Sequence, residues 1–196
     1  MAAPSKVNFK IYQGSTFSEV LRWESSTKVY KPITGITQAA PIVITSVTHG
    51  IPTGWRFKVT NVTGMKEINS TETYHVATEV AADSITVNAV NSLGYTAYTS
   101  GGVVEYNAPI DLTGYTARMQ LREKIDSETV IHELTTENSG ISLNTSLYTI
   151  NLTIPAATTA GFTFSQALYS LELESAGGVV TPFCNGTIAL VKEVTR

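Results

Sequence analysis

Cysteine is almost missing from this chain. Cys184 stands alone among 196 residues, so no internal disulfide can staple the fold. Charge is scarce too. Asp, Glu, Lys and Arg make up 15% of the residues, below the roughly 25% of an average soluble domain, so long-range electrostatic steering is weak. The net charge is −3 and no basic stripe is visible, so a nucleic-acid partner is not expected. No run of like charges marks a disordered tail. No apolar run approaches the roughly 20 residues that span a bilayer, so no membrane partner is expected either. The opening "MAAPSKVNFK" holds no apolar stretch of signal-peptide length, and folding in a cytosol is the expectation.

Catalytic patterns are missing as well. The histidines are His49, His75 and His132. None has the i, i+4 spacing of a zinc pair on a helix. His49 sits in the turn-like "THG", and the other two fall in strands. Cys184, in "PFCNGT", pairs on paper with His132 as nucleophile and base, but nothing in the sequence places them together. A buried strand thiol is the ordinary reading. The densest carboxylates are Glu123, Asp126 and Glu128, around Lys124, in an expected hairpin loop. Calcium needs more oxygen ligands at fixed offsets, so this reads as a solvated turn. "GYTAYTSGG" has glycines but no Gly-Lys-Ser/Thr, and no G-x-S-x-G elbow occurs. No catalytic, cofactor or metal site is expected, and the chain does not read as an enzyme.

What the chain has is Thr, Ser and Asn beside 42% hydrophobic residues. Asn-X-Ser/Thr triplets at Asn61, Asn69, Asn144, Asn151 and Asn185 follow from that composition and need no glycosylation. Alternation with period two dominates, as half-buried antiparallel strands require. "VNFKIYQG" sets Val7, Phe9 and Ile11 against Asn8, Lys10 and Tyr12. "TFSEVLRWES" sets Phe17, Glu19, Leu21 and Trp23 on one side. "ARMQLREK" sets Met119 and Leu121 against Arg118, Gln120 and Arg122. "SLYTINLTIP" aligns Tyr148, Ile150, Leu152 and Ile154, "ALYSLELES" aligns Tyr169, Leu171 and Leu173, and "NGTIALVKEV" aligns Ile188 and Leu190, with Lys192 in register. Short strands parted by Gly, Asn, Ser and Pro turns predict a sandwich or barrel. Only "IPAATTAGF" predicts a helix, one or two turns long, with Pro155 in its first turn and Gly161 as its stop.

The texture changes between Gly35 and Asn107. Turn signals at His49-Gly50, Pro52-Thr53-Gly54, Thr63-Gly64, Ile68-Asn69, Ala82-Asp83 and Gly101-Gly102 divide this stretch into five or six short strands. That suffices for a small closed barrel with adjacent ends. Two similar turns flank it, "YKPITGI" at Tyr30 to Ile36 and "NAPIDLTGY" from Asn107. They read as the points where an inserted domain leaves and rejoins its host. The expected fold is all-β: residues 1–35 and 108–196 form one sandwich, and residues 36–107 form an inserted small β-barrel.

Trp23, Trp55, Tyr95, Tyr98, Tyr115 and Tyr148 can stack on sugars, but their strand positions favour core or interface roles. A carbohydrate-binding module reading host surface sugars is the alternative from another class. Its platform would be Trp55, Tyr95 and Tyr98.

The flanks carry a resemblance. "IYQGSTFSEVLRW", "PIDLTGYTARMQLREK", "VIHELTTENSGISL", "YTINLTIPAATTAGF" and "ALYSLELESAGGVVTPFCNGTIALVKEVTR" resemble the immunoglobulin-like N-terminal domain of phage baseplate upper proteins, over roughly residues 7 to 33 and 108 to 196. The middle, with "VTGMKEIN" and "GYTAYTSGG", resembles a recurrent β-barrel module of phage tails. It is also similar in shape to a small barrel within ubiquitin-activating enzymes. These resemblances imply a virion structural protein. The implied role is a docking component of the tail, baseplate or neck, in several copies within a symmetric assembly, with other phage virion proteins as partners. It would reside in the virion, after assembly in the host cytoplasm. A capsid decoration protein is the alternative within that class.

Overall fold

Period-two alternation becomes strand along nearly the whole chain, in a computed structural model that describes residues 4–70 and 72–193. The fold is all-β and sandwich-type, and it divides into two compact units. One comprises the chain up to Arg22 and from Asp111 onward; the other is Trp23–Ile110.

The host unit holds two sheets. The larger follows the order β1 (Ser5–Lys6), β17 (Val180–Val191), β16 (Gln166–Glu174), β12 (Thr116–Arg122), β13 (His132–Thr135), with β2 (Phe9–Tyr12) also pairing β17. β1 and β2 run parallel to β17; the other pairings are antiparallel. The smaller sheet is β14 (Ile141–Asn144), β15 (Thr149–Ile154) and β3 (Phe17–Arg22). Alternate residues of both sheets are buried, including Ile11, Met119, Leu121, Leu171 and Leu173 from the larger and Ile150, Leu152 and Ile154 from the smaller. Phe9 and Phe17 join the sheets edge-to-face, with ring centroids 5.7 Å apart. Lys192 falls beyond the last strand and is exposed.

The predicted helix forms as α1 (Ala156–Ala160) and carries the chain from the smaller sheet to the larger. Pro155 is its N-cap in extended geometry, one place before the expected position. Thr159 is fully buried and donates its hydroxyl to the Ser15 carbonyl at 2.8 Å. The Gln13 amide reaches the carbonyls of Ala160 (3.2 Å) and Phe162 (2.9 Å), satisfying the helix end from a distant segment.

The inserted unit also holds two sheets. One is β4 (Glu24–Pro32), β11 (Ser100–Pro109), β7 (Arg56–Thr63), β8 (His75–Val76). The other is β5 (Gly35–Ile36), β6 (Ile42–Thr45), β10 (Ser84–Val87), β9 (Glu79–Ala81). The expected closed barrel is not present. The chain turns from one sheet to the other at Ile33–Thr34 and at Ala77–Thr78, and pairing breaks at both corners. There Ile33 bonds back to Gly102 while Thr34 bonds forward to Thr45, so neighbouring residues serve different sheets.

The insert begins earlier than expected. β4 lies within the span expected for the host, residues 1–35, but it pairs with β11 from Lys28↔Asn107 to Pro32↔Val103. At its base Glu24 faces Pro109, and the Ile110 amide donates to the Trp23 carbonyl at 3.0 Å. The chain therefore leaves and rejoins its host at adjacent points, and only "NAPIDLTGY" marks a true junction. The Gly101-Gly102 pair is not a turn either. Both residues lie in β11 with positive φ, and a Cβ on Gly102 would stand 2.6 Å from the Val62 side chain. Between the turn signals at Thr63-Gly64 and Ile68-Asn69, where a short strand is expected, the chain forms a short 3₁₀ helix at Lys66–Ile68.

Candidate functional site

The residues singled out for chemistry lie apart. Cys184 is on β17 and His132 on β13, with β16 and β12 between them, so about 14 Å of sheet separates the pair. The Cys184 thiol is buried beside the Tyr169 hydroxyl at 3.6 Å, and burial pushes its pKa up, away from the reactive thiolate. His132 is half-buried against Phe162, and that burial lowers its pKa, partly offset by Glu133. His49 is a structural pin: Nδ1 accepts the Ile51 amide at 3.0 Å, leaving Nε2–H for the Ala81 carbonyl at 2.8 Å. His75 meets the Ile68 carbonyl at 2.9 Å. Glu123, Asp126 and Glu128 are exposed in the β12–β13 loop. Among the described residues no three His, Cys, Asp or Glu side chains gather to hold a metal.

The aromatic platform of the alternative sugar-binding reading does not form, and Trp55 takes the core role that its position favours. Trp55 is 0% exposed, and its indole N–H donates to the Asn107 carbonyl at 2.9 Å. Tyr98 is tied through its hydroxyl to the Ile33 and Gly101 carbonyls. The exposed aromatics are Tyr12, Tyr30 and Tyr74 instead, and Arg56 and Lys58 already cover the Tyr74 ring at 4.8 and 5.1 Å.

The sheet edges offer one long strand. β4 ends its sheet with its outer edge unpaired among the described residues. Lys28, Lys31 and Pro32 punctuate it, the usual protection against edge-to-edge association.

The outer face of the six-stranded sheet presents a different surface. Because inner residues alternate with outer ones, strand register arranges the outer side chains in rows. One row runs Lys6, Asn185, Ser170, Gln120, Glu133; a second runs Thr187, Leu168, Arg122; a third pairs Glu172 with Arg118. These rows floor a groove of about 800 Å³. The β12–β13 loop brings Lys124 and Ile125 to its rim.

The floor is wired by hydrogen bonds. Arg122 Nη2 donates to Gln120 Oε1 at 2.8 Å, and Gln120 Nε2 donates to Glu133 Oε1 at 2.6 Å. Arg122 Nη1 donates to the Ser127 carbonyl, bracing the loop. Arg118 is paired with Glu172, which raises its pKa further. Among the described residues Lys6, Arg122 and Lys124 have no carboxylate partner. In the sequence Arg118, Gln120 and Arg122 form no more than the polar face of one strand. Long-range register alone sets them beside Lys6 and Asn185.

No protein-family model matches the chain, and no curated protein matches it in sequence.

Proposed function

We propose that the protein is a structural component of a tailed-phage virion. It docks on the tail, baseplate or neck and holds other virion proteins, in several copies within a symmetric assembly. One observation carries this reading: a second unit is spliced into the first at Trp23 and Ile110, where one 3.0 Å hydrogen bond ties its ends together. Each unit keeps its own buried core, which suits a two-module adaptor that works through shape. The resemblance of the flanks to baseplate upper proteins and of the middle to a phage tail module supports the assignment. A low-charge, hydroxyl-rich surface supports it further, since repeated weak contacts suffice where many copies act together.

Quantitative mass spectrometry of purified particles, referenced to the major capsid protein, tests the proposal. A copy number that is a small multiple of the tail symmetry is the expected result. Copies as numerous as the capsid protein would make it a shell decoration protein. Absence from particles would refute both.

A further inference from the structure

We propose that the groove on the six-stranded sheet receives an extended acidic segment of a neighbouring protein, with one apolar side chain seated against Ile125 and Leu168. The inference deepens the docking reading and rests on it for the occupant being a protein. Charge complementarity points to the acid. Four of the chain's 13 Lys and Arg residues line this groove, in a molecule whose net charge is −3. Three of them lack a carboxylate partner among the described residues; Lys6 and Lys124 are exposed, and Arg122 keeps N–H donors beyond the two that bond Gln120 and Ser127. The apolar contact rests on Ile125, which is 82% exposed at the rim, and on Leu168, 36% exposed on the floor. A large aliphatic side chain left so open gains by being covered.

Glu133 and Glu172 choose between anions. They sit on the floor and interrupt the positive field. A polyphosphate backbone, charged at every step, would meet them with repulsion. A peptide places its carboxylates discretely and offers backbone N–H groups to the two glutamates. The Arg122–Gln120–Glu133 relay holds both kinds of group in place before binding, which lowers the ordering cost.

Fluorescence anisotropy with a short fluorescein-labelled Asp-Leu-Asp peptide tests the assignment on the full chain, against an Asn-Leu-Asn control. The acidic peptide should bind about tenfold or more tightly than the control. Its affinity should fall with added salt, and the double variant Lys6→Glu, Lys124→Glu should abolish the preference. Both lysines are exposed, so the variant should fold as the parent does. Ile125→Ser should weaken both peptides alike. Equal binding of the two peptides, or a preference that survives the double variant, overturns the inference. Tighter binding of a single-stranded oligothymidylate also overturns it and reassigns the groove to nucleic acid. The docking reading is judged separately: a chain present in particles that shows no acidic preference keeps its virion role and loses this ligand. A chain absent from particles that shows the preference keeps the ligand and loses the virion role.

Discussion

Replacing Trp55 with Phe tests the inserted unit at its most informative point. Trp55 is fully buried in the loop before β7. Its indole N–H donates to the Asn107 carbonyl, where the β11–β4 register shifts between Asn107 and Pro109. A register irregularity disturbs the ladder, and the indole supplies this carbonyl with a partner. Phe removes that donor. Leaving a buried acceptor unsatisfied costs about 1–3 kcal/mol. The smaller ring also opens a void, and lost contacts add about 1–2 kcal/mol. The unit should therefore lose about 2–5 kcal/mol. With a urea m-value of about 2 kcal/mol/M, its midpoint falls by roughly 1–2.5 M. Urea unfolding followed by circular dichroism reads this directly. Two units can unfold in two steps, so the transitions are fitted separately and only the insert's should move. A change below about 0.5 kcal/mol, the scale of an ordinary surface substitution, would refute the buried-anchor reasoning. So would strong quenching of Trp55 emission by host polysaccharide, which needs an exposed ring.

Two further outcomes follow from the same geometry. Deleting Glu24–Pro109 and joining Trp23 to Ile110 should leave a host sandwich that folds and unfolds cooperatively, since those residues are already hydrogen-bonded. Deleting only residues 36–107 strands β4 without β11 and should yield an aggregating product; size-exclusion chromatography of both variants decides, and the opposite ranking would refute the assignment of β4 to the insert. At alkaline pH, burial raises the pKa of Cys184 and of Tyr169, so the unfolded chain releases its protons first. Their stabilisation is complete below the unfolded values and is lost as pH rises from about 8.5 through 10 and beyond. Cys184→Ala should flatten the first part of that decline in urea midpoints, and an unchanged pH profile would refute the buried-thiol account.

Much of the fold was legible because a strand's signal is local. A side chain two residues on shares the same face, so Phe9 with Ile11, Ile150 with Leu152 and Leu171 with Leu173 declare their burial within a few positions. The short helix after Pro155 and the β12–β13 hairpin were legible for the same reason. The insert's upper boundary was visible in its turn residues. Its lower boundary was not, because "YKPITGI" has the chemistry of a junction yet sits at a corner between two sheets of the insert. The core role favoured for Trp55 agrees with its burial, but the partner that holds its indole N–H, the Asn107 carbonyl, lies 52 residues away and is visible only in the fold.

The sequence by itself determined the class: all-β, with alternating faces and one disulfide-incapable cysteine. It also determined that a second module interrupts the first. Tertiary structure alone decided which strands pair, and with that the site. Lys6 and Glu133 are separated in sequence by the whole inserted unit, yet one row across five strands brings them to the same groove. Pairing partners are chosen by the energy of whole sheets closing over a core, a sum over distant residues. No short window of sequence contains that sum, so the strands could be read one at a time and the groove they build together could not.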